Sequence, residues 1–461
     1  MRSFPNRLAA VGLAAAVAAS AACSDFLSVD NPGSVDTGNL ADSANAALLV
    51  NGAIGEFQSM IATSALWGAI LSDEAMSGHN NASYGPIDRR DFTELNDIVA
   101  GVYSPLQRAR YAGDSVAGRL KGYQGEAAAA KDLRVARMLA FAGYGYVELG
   151  EMFCDAPIGG SAPLTPVELW QKALPRFEEA IAIVTAAKAD GNTAAAGDSI
   201  LNLALVGAAR AALNLGDLPT AKSYASQVAP GFEYRAYYAE GIPPQPGLPT
   251  NPFWNGTGSP DLARPGYNSN TSDGWNYSSA AAWVVVGETF LNLKDPRVPH
   301  TPTAVKVLSN AYGDQYLPHK PKSFGGYVKP DTNVAGKKGG VPMTPGAFIR
   351  VASWLEAQYI IAEAEQGNAN TLLFVNAQRT ANDQPASTAT TPQEVLLDLL
   401  DQRRREFWLD GHRLGDLRRY IKQYNIDQFP SGTYRGGSES YGSVTCFPIP
   451  LTERNSNPNV P

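Results

Sequence analysis

A histidine flanked by carboxylates is the most chemically suggestive feature of this sequence. His412 lies between Asp410 and Asp416, in a stretch that also contains Arg403 and Glu406. A histidine paired with a carboxylate is an arrangement that general acid–base catalysis uses. However, no Gly-x-Ser-x-Gly elbow places a nucleophile in the sequence. We therefore predict that the protein is not an enzyme and that Arg403, Glu406, Asp410 and Asp416 form a structural network of ion pairs.

Arg403 needs such partners because of the helix that carries it. The helix has apolar residues at core-facing spacing, and Arg403 falls on the same face, seven residues after Leu396 and four before Phe407. A guanidinium on a core face is unstable unless it is paired and hydrogen-bonded. Gly411 then allows a turn before a second, basic helix.

Metal, cofactor and nucleic-acid functions find no support in the sequence. The four histidines are scattered and lack metal-site spacing: His79, His300, His319 and His412. We expect neither a metal nor a cofactor. The net charge of −7 implies no basic face, which argues against nucleic acid as a partner.

Aromatic residues beside amides form a second candidate site. Trp254 precedes an asparagine, and Trp275, Asn276 and Tyr277 are consecutive. Aromatic faces that cover C–H patches, together with amides for the hydroxyls, suit a sugar ligand. Alternatively, these aromatic residues anchor a coil-rich segment by packing. For any one of them packing is favoured, whereas for the group we predict that at least one contacts ligand.

The N-terminus has the features of a lipoprotein signal peptide. Arg2 and Arg7 precede an apolar run over 8–19, and small residues lead to Cys23. The run is too short to span a bilayer. We predict a signal peptide over 1–22 and lipidation of Cys23, which holds the protein on a membrane. The alternative is an ordinary secreted protein with a free Cys23.

Cys154 and Cys446 are the two remaining cysteines. In an oxidising compartment, two leftover cysteines suggest a disulfide. Two separate buried thiols are an equal alternative at this point.

Helical periodicity dominates the chain on both sides of a loop-rich stretch. The sequence predicts helices over 41–71 and 131–153, a helix with Pro166 in its first turn, and a helix–turn–helix over 200–228. In the last pair, small residues alternate with large ones, as in tetratricopeptide-type helical pairs. Residues 133–190 and 349–385 resemble further, degenerate pairs. We therefore predict an all-α scaffold.

The stretch over 231–345 differs, because prolines and glycines interrupt its helical pattern. A loop region of this length is either disordered or functional. Its aromatic content is high, whereas disordered tracts are usually poor in aromatic residues. We predict an ordered excursion that carries the ligand face.

Several segments together resemble the SusD/RagB family of outer-membrane nutrient-binding lipoproteins. The block that begins at Arg403 and ends in Gly-His-Arg at Arg413 looks like the C-terminal signature of that family. Further markers are Leu71-Ser72-Asp73-Glu74, Asp295-Pro296-Arg297, Ile349-Arg350, Trp354-Leu355-Glu356-Ala357, Ala362-Glu363-Ala364, Val375-Asn376-Ala377-Gln378-Arg379 and Phe447-Pro448-Ile449-Pro450. The chain stops at Pro461, where many members continue for a few residues.

The resemblance implies an organisation and a role. It implies one domain over 23–461, with the helical scaffold at about 39–230 and 346–425 and the loop-rich insertion at about 231–345. It further implies a surface-exposed outer-membrane protein that binds a nutrient oligomer, with a glycan favoured and a peptide possible, and delivers it to a TonB-dependent β-barrel transporter. The alternative is a helical-repeat adaptor that assembles envelope proteins without binding a small molecule.

The resemblance also draws attention to the loop after Asp73-Glu74, since relatives use this loop for ligand contacts, often through tryptophans. Here it contains Asn80, Asn81, Tyr84 and Arg89 but no tryptophan, which leaves room for a peptide ligand. A solvated polar loop is an equally favoured alternative.

Overall fold

The structure, a computed structural model, describes most of the chain. The described residues are 42–77, 83–192, 194–238, 251–253, 284–291, 293, 295–298, 300–302, 319–321, 323–330, 338–342, 347–434 and 439–461. The chain forms two compact units, Met1–Ala46 and Ala47–Pro461. Among the described residues of the first unit, Ser43–Asn45 form a 3-10 turn, which is capped by the Asp42 carboxylate through a hydrogen bond from the Ala44 amide at 2.8 Å.

Helices make up most of the N-terminal half. In chain order the elements are α1 (Ala46–Leu71), β1 (Ala75–Ser77), α2 (Tyr84–Asp88), α3 (Asp97–Gln124), α4 (Glu126–Ala129), α5 (Leu133–Met152), β2 (Ala156–Pro157), β3 (Pro163–Leu164), α6 (Pro166–Ala189), α7 (Ala195–Leu215) and α8 (Leu218–Ala225). Helices α3, α5, α6, α7 and α8 pack on one another in sequence, apart from the short α4.

The C-terminal half mixes short strands with a second group of helices. The elements are β4 (Glu233–Ala236), β5 (Val284–Val286), α9 (Glu288–Leu291), β6 (His300–Pro302), β7 (His319–Pro321), β8 (Ser323–Pro330), β9 (Lys338–Pro342), β10 (Ile349–Ser353), α10 (Trp354–Ala364), α11 (Ala369–Ala381), α12 (Pro392–Glu406), α13 (Arg413–Tyr424) and α14 (Leu451–Ser456).

Local sequence signals explain where the helices begin. Thr165 and Thr391 each form a capping box with a glutamate three residues later, Glu168 and Glu394, and a proline occupies the first turn that follows. The Asp132 carboxylate caps α5 by accepting a hydrogen bond from the Arg134 amide at 2.8 Å. These caps satisfy amides that have no partner within their helix.

Helix α5 is the centre of the scaffold and is buried on nearly every side. Phe177 of α6 lies between Gly143 of α5 and Gly207 of α7. A Cβ atom at Gly207 would lie 2.4 Å from the Phe177 ring, and one at Gly143 would lie 2.6 Å from it. The small residues of the helix–turn–helix pattern thus let adjacent helices approach closely around one aromatic ring. Helix α7 is also long and apolar enough to cross a membrane, but most of it is buried inside the protein.

The described strands pair in twos, always antiparallel. The ladders are β1 with β5, β2 with β3, β4 with β10, β6 with β7, and β8 with β9. The β4–β10 ladder closes the base of the loop-rich stretch, and the β1–β5 ladder joins this stretch to the end of α1.

The predicted all-α class is confirmed, since the residues that the structure describes add only these small ladders to the helices. The helix predicted over 131–153 is α5, and the pair predicted over 200–228 is α7 and α8. The pair predicted over 349–385 differs at its start, because residues Ile349–Ser353 form strand β10 before α10 begins. The β-branched and small residues of this short run pair with β4 instead of forming a helix.

Candidate functional site

The predicted core-facing position of Arg403 is observed. Its side chain is 1% exposed, and its Nε atom donates to the Asp416 carboxylate at 2.7 Å. The guanidinium also lies over the Phe407 ring, 4.9 Å from its centroid. Asp416 in turn accepts a hydrogen bond from Arg419 at 2.8 Å, so two arginines share this carboxylate and hold the pKa of Asp416 below its usual range, although burial alone would raise it.

The other two carboxylates near Arg403 bind a different arginine. Arg350 of β10 lies 3.0 Å from Asp410 and 3.4 Å from Glu406, and it also donates to the Glu406 carbonyl at 2.7 Å. The sequence offered three carboxylates as partners for Arg403: Glu406, Asp410 and Asp416. Among the described residues, only Asp416 of these three forms an ion pair with it. The network joins α12 to strand β10 as well as to α13.

A fourth arginine, Arg297, connects the loop-rich stretch to the same network. Arg297 is fully buried and forms a two-pronged interaction with Asp295, with distances of 3.0 and 2.8 Å. It also donates to the Gln402 side chain at 2.7 Å and lies 3.6 Å from Glu406. The Asp-Pro-Arg sequence is therefore an anchor on helix α12.

The segment that follows α1 is anchored in the same way. Arg413 donates to both carboxylate oxygens of Asp73, at 2.6 and 2.9 Å. The neighbouring Glu74 accepts a hydrogen bond from the Leu409 amide at 3.1 Å, and burial raises the pKa of Glu74 well above its usual value. Leu409 has a φ of 64°, a strained conformation that this hydrogen bond supports.

His412 is part of this network and is not accessible to a substrate. Its side chain is 2% exposed, with Nδ1 2.7 Å from Asp410 and Nε2 3.1 Å from Glu356. Burial alone would lower the pKa of His412, but the two carboxylates raise it to about 9. The ring is therefore a charged imidazolium at neutral pH, which is the wrong protonation state for a general base.

A second buried charge cluster lies in helices that look apolar in the sequence. Arg210 of α7 donates to Glu151 at 2.9 Å and lies 3.3 Å from Glu148. Burial raises the pKa of Glu148 to about 7, although Arg210 opposes the shift. This cluster was not predicted from the sequence. The available signal was the presence of Glu148 and Glu151 in an otherwise apolar helix.

The β1–β5 ladder brings the two predicted ligand segments together at their bases. Ala75 pairs with Val286, Met76 with Val285 and Ser77 with Val284. The loop with Asn80 and Asn81 leaves the ladder directly after Ser77. The segment with Trp275, Asn276 and Tyr277 precedes Val284 in sequence, so both predicted segments are joined by the chain to the pair Ser77 and Val284 at one end of the ladder.

The described residues of the two predicted ligand segments pack against the protein. Tyr84 is half-buried, with its ring edge-on to Trp67 at 5.3 Å between centroids. Arg89 forms an ion pair with Glu439 at 2.8 Å. Asn80, Asn81, Trp254, Trp275, Asn276 and Tyr277 lie outside the described residues, as does Cys23.

Cys154 and Cys446 form a disulfide with a Cα–Cα distance of 5.1 Å. The sequence alone had left a disulfide and two separate thiols as equal alternatives. The bond joins Cys154, just after α5, to Cys446 in the C-terminal tail. Phe153 and Phe447 pair beside it, and their rings lie 5.7 Å apart. Within the described part of the chain, no group of three or more metal-binding side chains occurs.

No protein-family model and no curated protein matches the chain. Solved structures do match its fold. A surface glycan-binding protein A from Bacteroides uniformis superposes with a TM-score of 0.61 at 14% identity, over 91% of this chain and 98% of the other. A SusD-like carbohydrate-binding protein from Bacteroides vulgatus gives a TM-score of 0.60 at 14% identity, over 90% and 97%.

A laminarin-binding SusD-like protein matches with a TM-score of 0.57 at 15% identity, over 91% of this chain and 98% of that one. At such identities the likeness concerns the fold. The chain has the fold of the SusD superfamily, and the predicted resemblance is confirmed at that level.

Proposed function

We propose that this protein belongs to the SusD/RagB family, binds a glycan at the cell surface without chemical conversion, and delivers it to a TonB-dependent transporter. The observation that carries the glycan proposal is the β1–β5 ladder, which roots an amide-containing loop and an aromatic-rich segment at one place. Aromatic faces and amides are the two kinds of group that a sugar requires. A peptide is the alternative ligand.

Chain length limits how far apart these residues can lie. Asn80 is three residues from Ser77, so it lies within about 11 Å of the ladder end, and Tyr277 is seven residues from Val284, so it lies within about 25 Å. Chain length therefore allows one oligosaccharide beside the end of the ladder to contact both residues. We propose that Asn80, Asn81, Tyr84, Trp275, Asn276 and Tyr277 line the ligand site, with Trp254 and Arg89 at its margin.

The names of the structural relatives support a glycan. One is described as laminarin-binding, one as carbohydrate-binding and one as a surface glycan-binding protein. The burial of His412 supports a role in binding rather than catalysis, because the one candidate general base of the sequence analysis lies inside the scaffold.

The test is binding to soluble polysaccharides, measured by affinity electrophoresis with laminarin as the first member of the panel and calorimetry on the best of them. Replacing Trp275 and Tyr277 together by alanine should weaken binding about tenfold or more, since truncating an aromatic anchor costs about 2 kcal/mol. Tyr84→Ala should weaken it less. The matched control is Tyr111→Ala, an exposed tyrosine on α3, which should bind normally. Retention of full affinity by the double variant would place the site elsewhere.

The lipid anchor belongs to the same proposal. Residues 1–22 would be removed as a signal peptide, Cys23 would be lipidated, and residues 23–461 would form one domain at the outer membrane. An anchored protein is confined to the surface where a transporter lies, which makes delivery a two-dimensional search.

A further inference from the structure

Two stretches of the C-terminal region, residues 429–434 and 439–444, pack against helix α2; we call them the brace. Its two arms hold each other through backbone hydrogen bonds. The Tyr434 amide donates to the Glu439 carbonyl at 2.8 Å, and the Tyr441 amide donates to the Gly432 carbonyl at 2.9 Å. The two arms of the brace are thus hydrogen-bonded to each other independently of helix α2.

The brace binds the backbone immediately after α2. The Gly442 amide donates to the Arg89 carbonyl at 2.7 Å, and the Val444 amide donates to the Arg90 carbonyl at 3.1 Å. In return, the Arg90 guanidinium donates to the Val444 carbonyl at 2.9 Å and to the Pro430 carbonyl at 2.6 Å. One arginine therefore connects α2 to both arms.

Arg90 holds a backbone conformation that an arginine seldom adopts. Its φ is 61°, and its side chain lies over the Phe429 ring at 4.4 Å. Such a conformation persists only where the surroundings determine it. The contacts with the brace maintain this conformation of Arg90, so the brace sets the direction in which the chain leaves α2.

Side chains of α2 complete the attachment. The Tyr434 hydroxyl donates to the Asp88 carboxylate at 2.8 Å, and Arg89 pairs with Glu439 at 2.8 Å. Tyr84, at the other end of α2, packs on Trp67. The brace therefore holds one end of the short helix whose other end carries Tyr84, a residue of the proposed ligand site.

We propose that the brace positions Tyr84 and Arg89, two residues of the proposed ligand site, through α2, and that Arg90 and Gly442 are positioning residues that do not touch ligand themselves. The inference rests on the proposed function only in assigning ligand binding to Tyr84 and Arg89. The mechanical part, that the brace orders residues 83–90, stands on the contacts alone.

Gly442→Ala tests the mechanical part by hydrogen–deuterium exchange. A Cβ atom there would lie 2.2 Å from the Arg90 carbonyl oxygen, so the brace must move away from α2. We expect exchange over residues 83–90 to accelerate about tenfold, as loss of roughly one net hydrogen bond predicts. Helix α5 should exchange as in the wild type. The control is Gly101→Ala, whose Cβ would meet nothing within 4 Å.

Arg90→Ala and Arg90→Lys test positioning. Arg418 offers a matched control, because it also donates to two backbone carbonyls, those of Gly150 and Glu151, but at the end of α5. We expect Arg90→Ala to weaken laminarin binding about tenfold, Arg90→Lys to restore part of it, and Arg418→Ala to bind normally even where its melting temperature falls.

The possible results separate this inference from the proposed function. Unchanged exchange over 83–90 in Gly442→Ala, or equal acceleration in α5, would overturn the brace. Full laminarin affinity in Arg90→Ala despite faster exchange would overturn positioning. If the wild-type protein binds no polysaccharide or peptide, the proposed function fails, while the exchange result still decides whether the brace orders α2.

Discussion

The charged residues that make this sequence recognisable pair with one another inside the protein. Arg403 binds Asp416, Arg350 binds Asp410, and Arg413 binds Asp73. A buried ion pair contributes little net stability compared with apolar packing, yet removing one partner leaves an uncompensated charge and costs about 3–5 kcal/mol. The residue types at these positions are therefore tightly constrained although none of them is placed to meet a ligand.

His412 makes the stability of the folded protein depend on pH. Its pKa is raised to about 9 in the folded state, from 6.5 for a free histidine. A raised pKa means that the folded state binds the proton more tightly, so the stabilisation is complete below pH 6.5 and is lost as pH rises through 9. Between pH 7.5 and 9.5, the free energy of unfolding should fall by about 2 kcal/mol through this group.

The measurement is urea unfolding of wild-type protein and His412→Gln at both pH values. Glu148, whose pKa is raised to about 7, has lost most of its proton by pH 7.5 and adds little within this window. The variant should show a flatter pH profile than the wild type. Equal slopes in the two proteins would mean that Asp410 and Glu356 do not hold the proton on His412.

At the scale of single residues, the sequence predicts burial and the need for a partner better than it predicts the partner itself. Helical spacing placed Arg403 on the core face, and Asp416 was among its expected partners. The pairing of Glu406 and Asp410 with Arg350 was not predictable from spacing, because Arg350 lies 56 and 60 residues away and only the tertiary fold brings it near.

At the scale of elements, long-range links hold the C-terminal tail against the helical scaffold. The tail after α13 has little regular structure except α14, and it depends on the Cys154–Cys446 bond, the Phe153–Phe447 pair and the brace. Loops of this kind have few backbone hydrogen bonds of their own, so these attachments keep the tail in an ordered conformation.

Removing the disulfide should therefore destabilise the protein measurably. Its cysteines are 292 residues apart in sequence, and cross-linking so distant a pair removes much entropy from the unfolded chain. We expect the double variant Cys154→Ser/Cys446→Ser to lose about 2–5 kcal/mol of unfolding free energy in urea titrations. A reducing agent should have the same effect on the wild type and none on the variant. An unchanged midpoint would show that the tail is held without the bond.

Several helices were predicted from sequence because a first-turn proline or a buried stripe marks them, whereas the long helix α3, with its Asn96 cap, was not predicted. Pro166 in its first turn marks the start of α6, and the small residues around Gly207 indicate the α7–α8 pair. Strands β1 and β5 gave no such signal, because each has three residues and exists only through the other. Short ladders of this kind depend on tertiary pairing rather than on local propensity.

At the scale of the whole molecule, the proposal of delivery to a transporter makes a direct prediction. A C-terminally tagged protein, extracted in mild detergent from its native outer membrane, should recover a large β-barrel transporter in stoichiometric amounts. Cys23→Ala should abolish recovery, because the unlipidated chain is not retained at the membrane. Recovery of soluble envelope proteins alone would favour the adaptor function over uptake.

The β1–β5 ladder has a consequence for how such a protein changes over generations. Three residue pairs fix the ladder, and the two proposed ligand segments both run outward from Ser77 and Val284. Insertions or deletions in either segment leave the register of the ladder untouched. The two proposed ligand segments can therefore be lengthened, shortened or exchanged between related proteins, while the buried arginine–carboxylate pairs maintain the same scaffold.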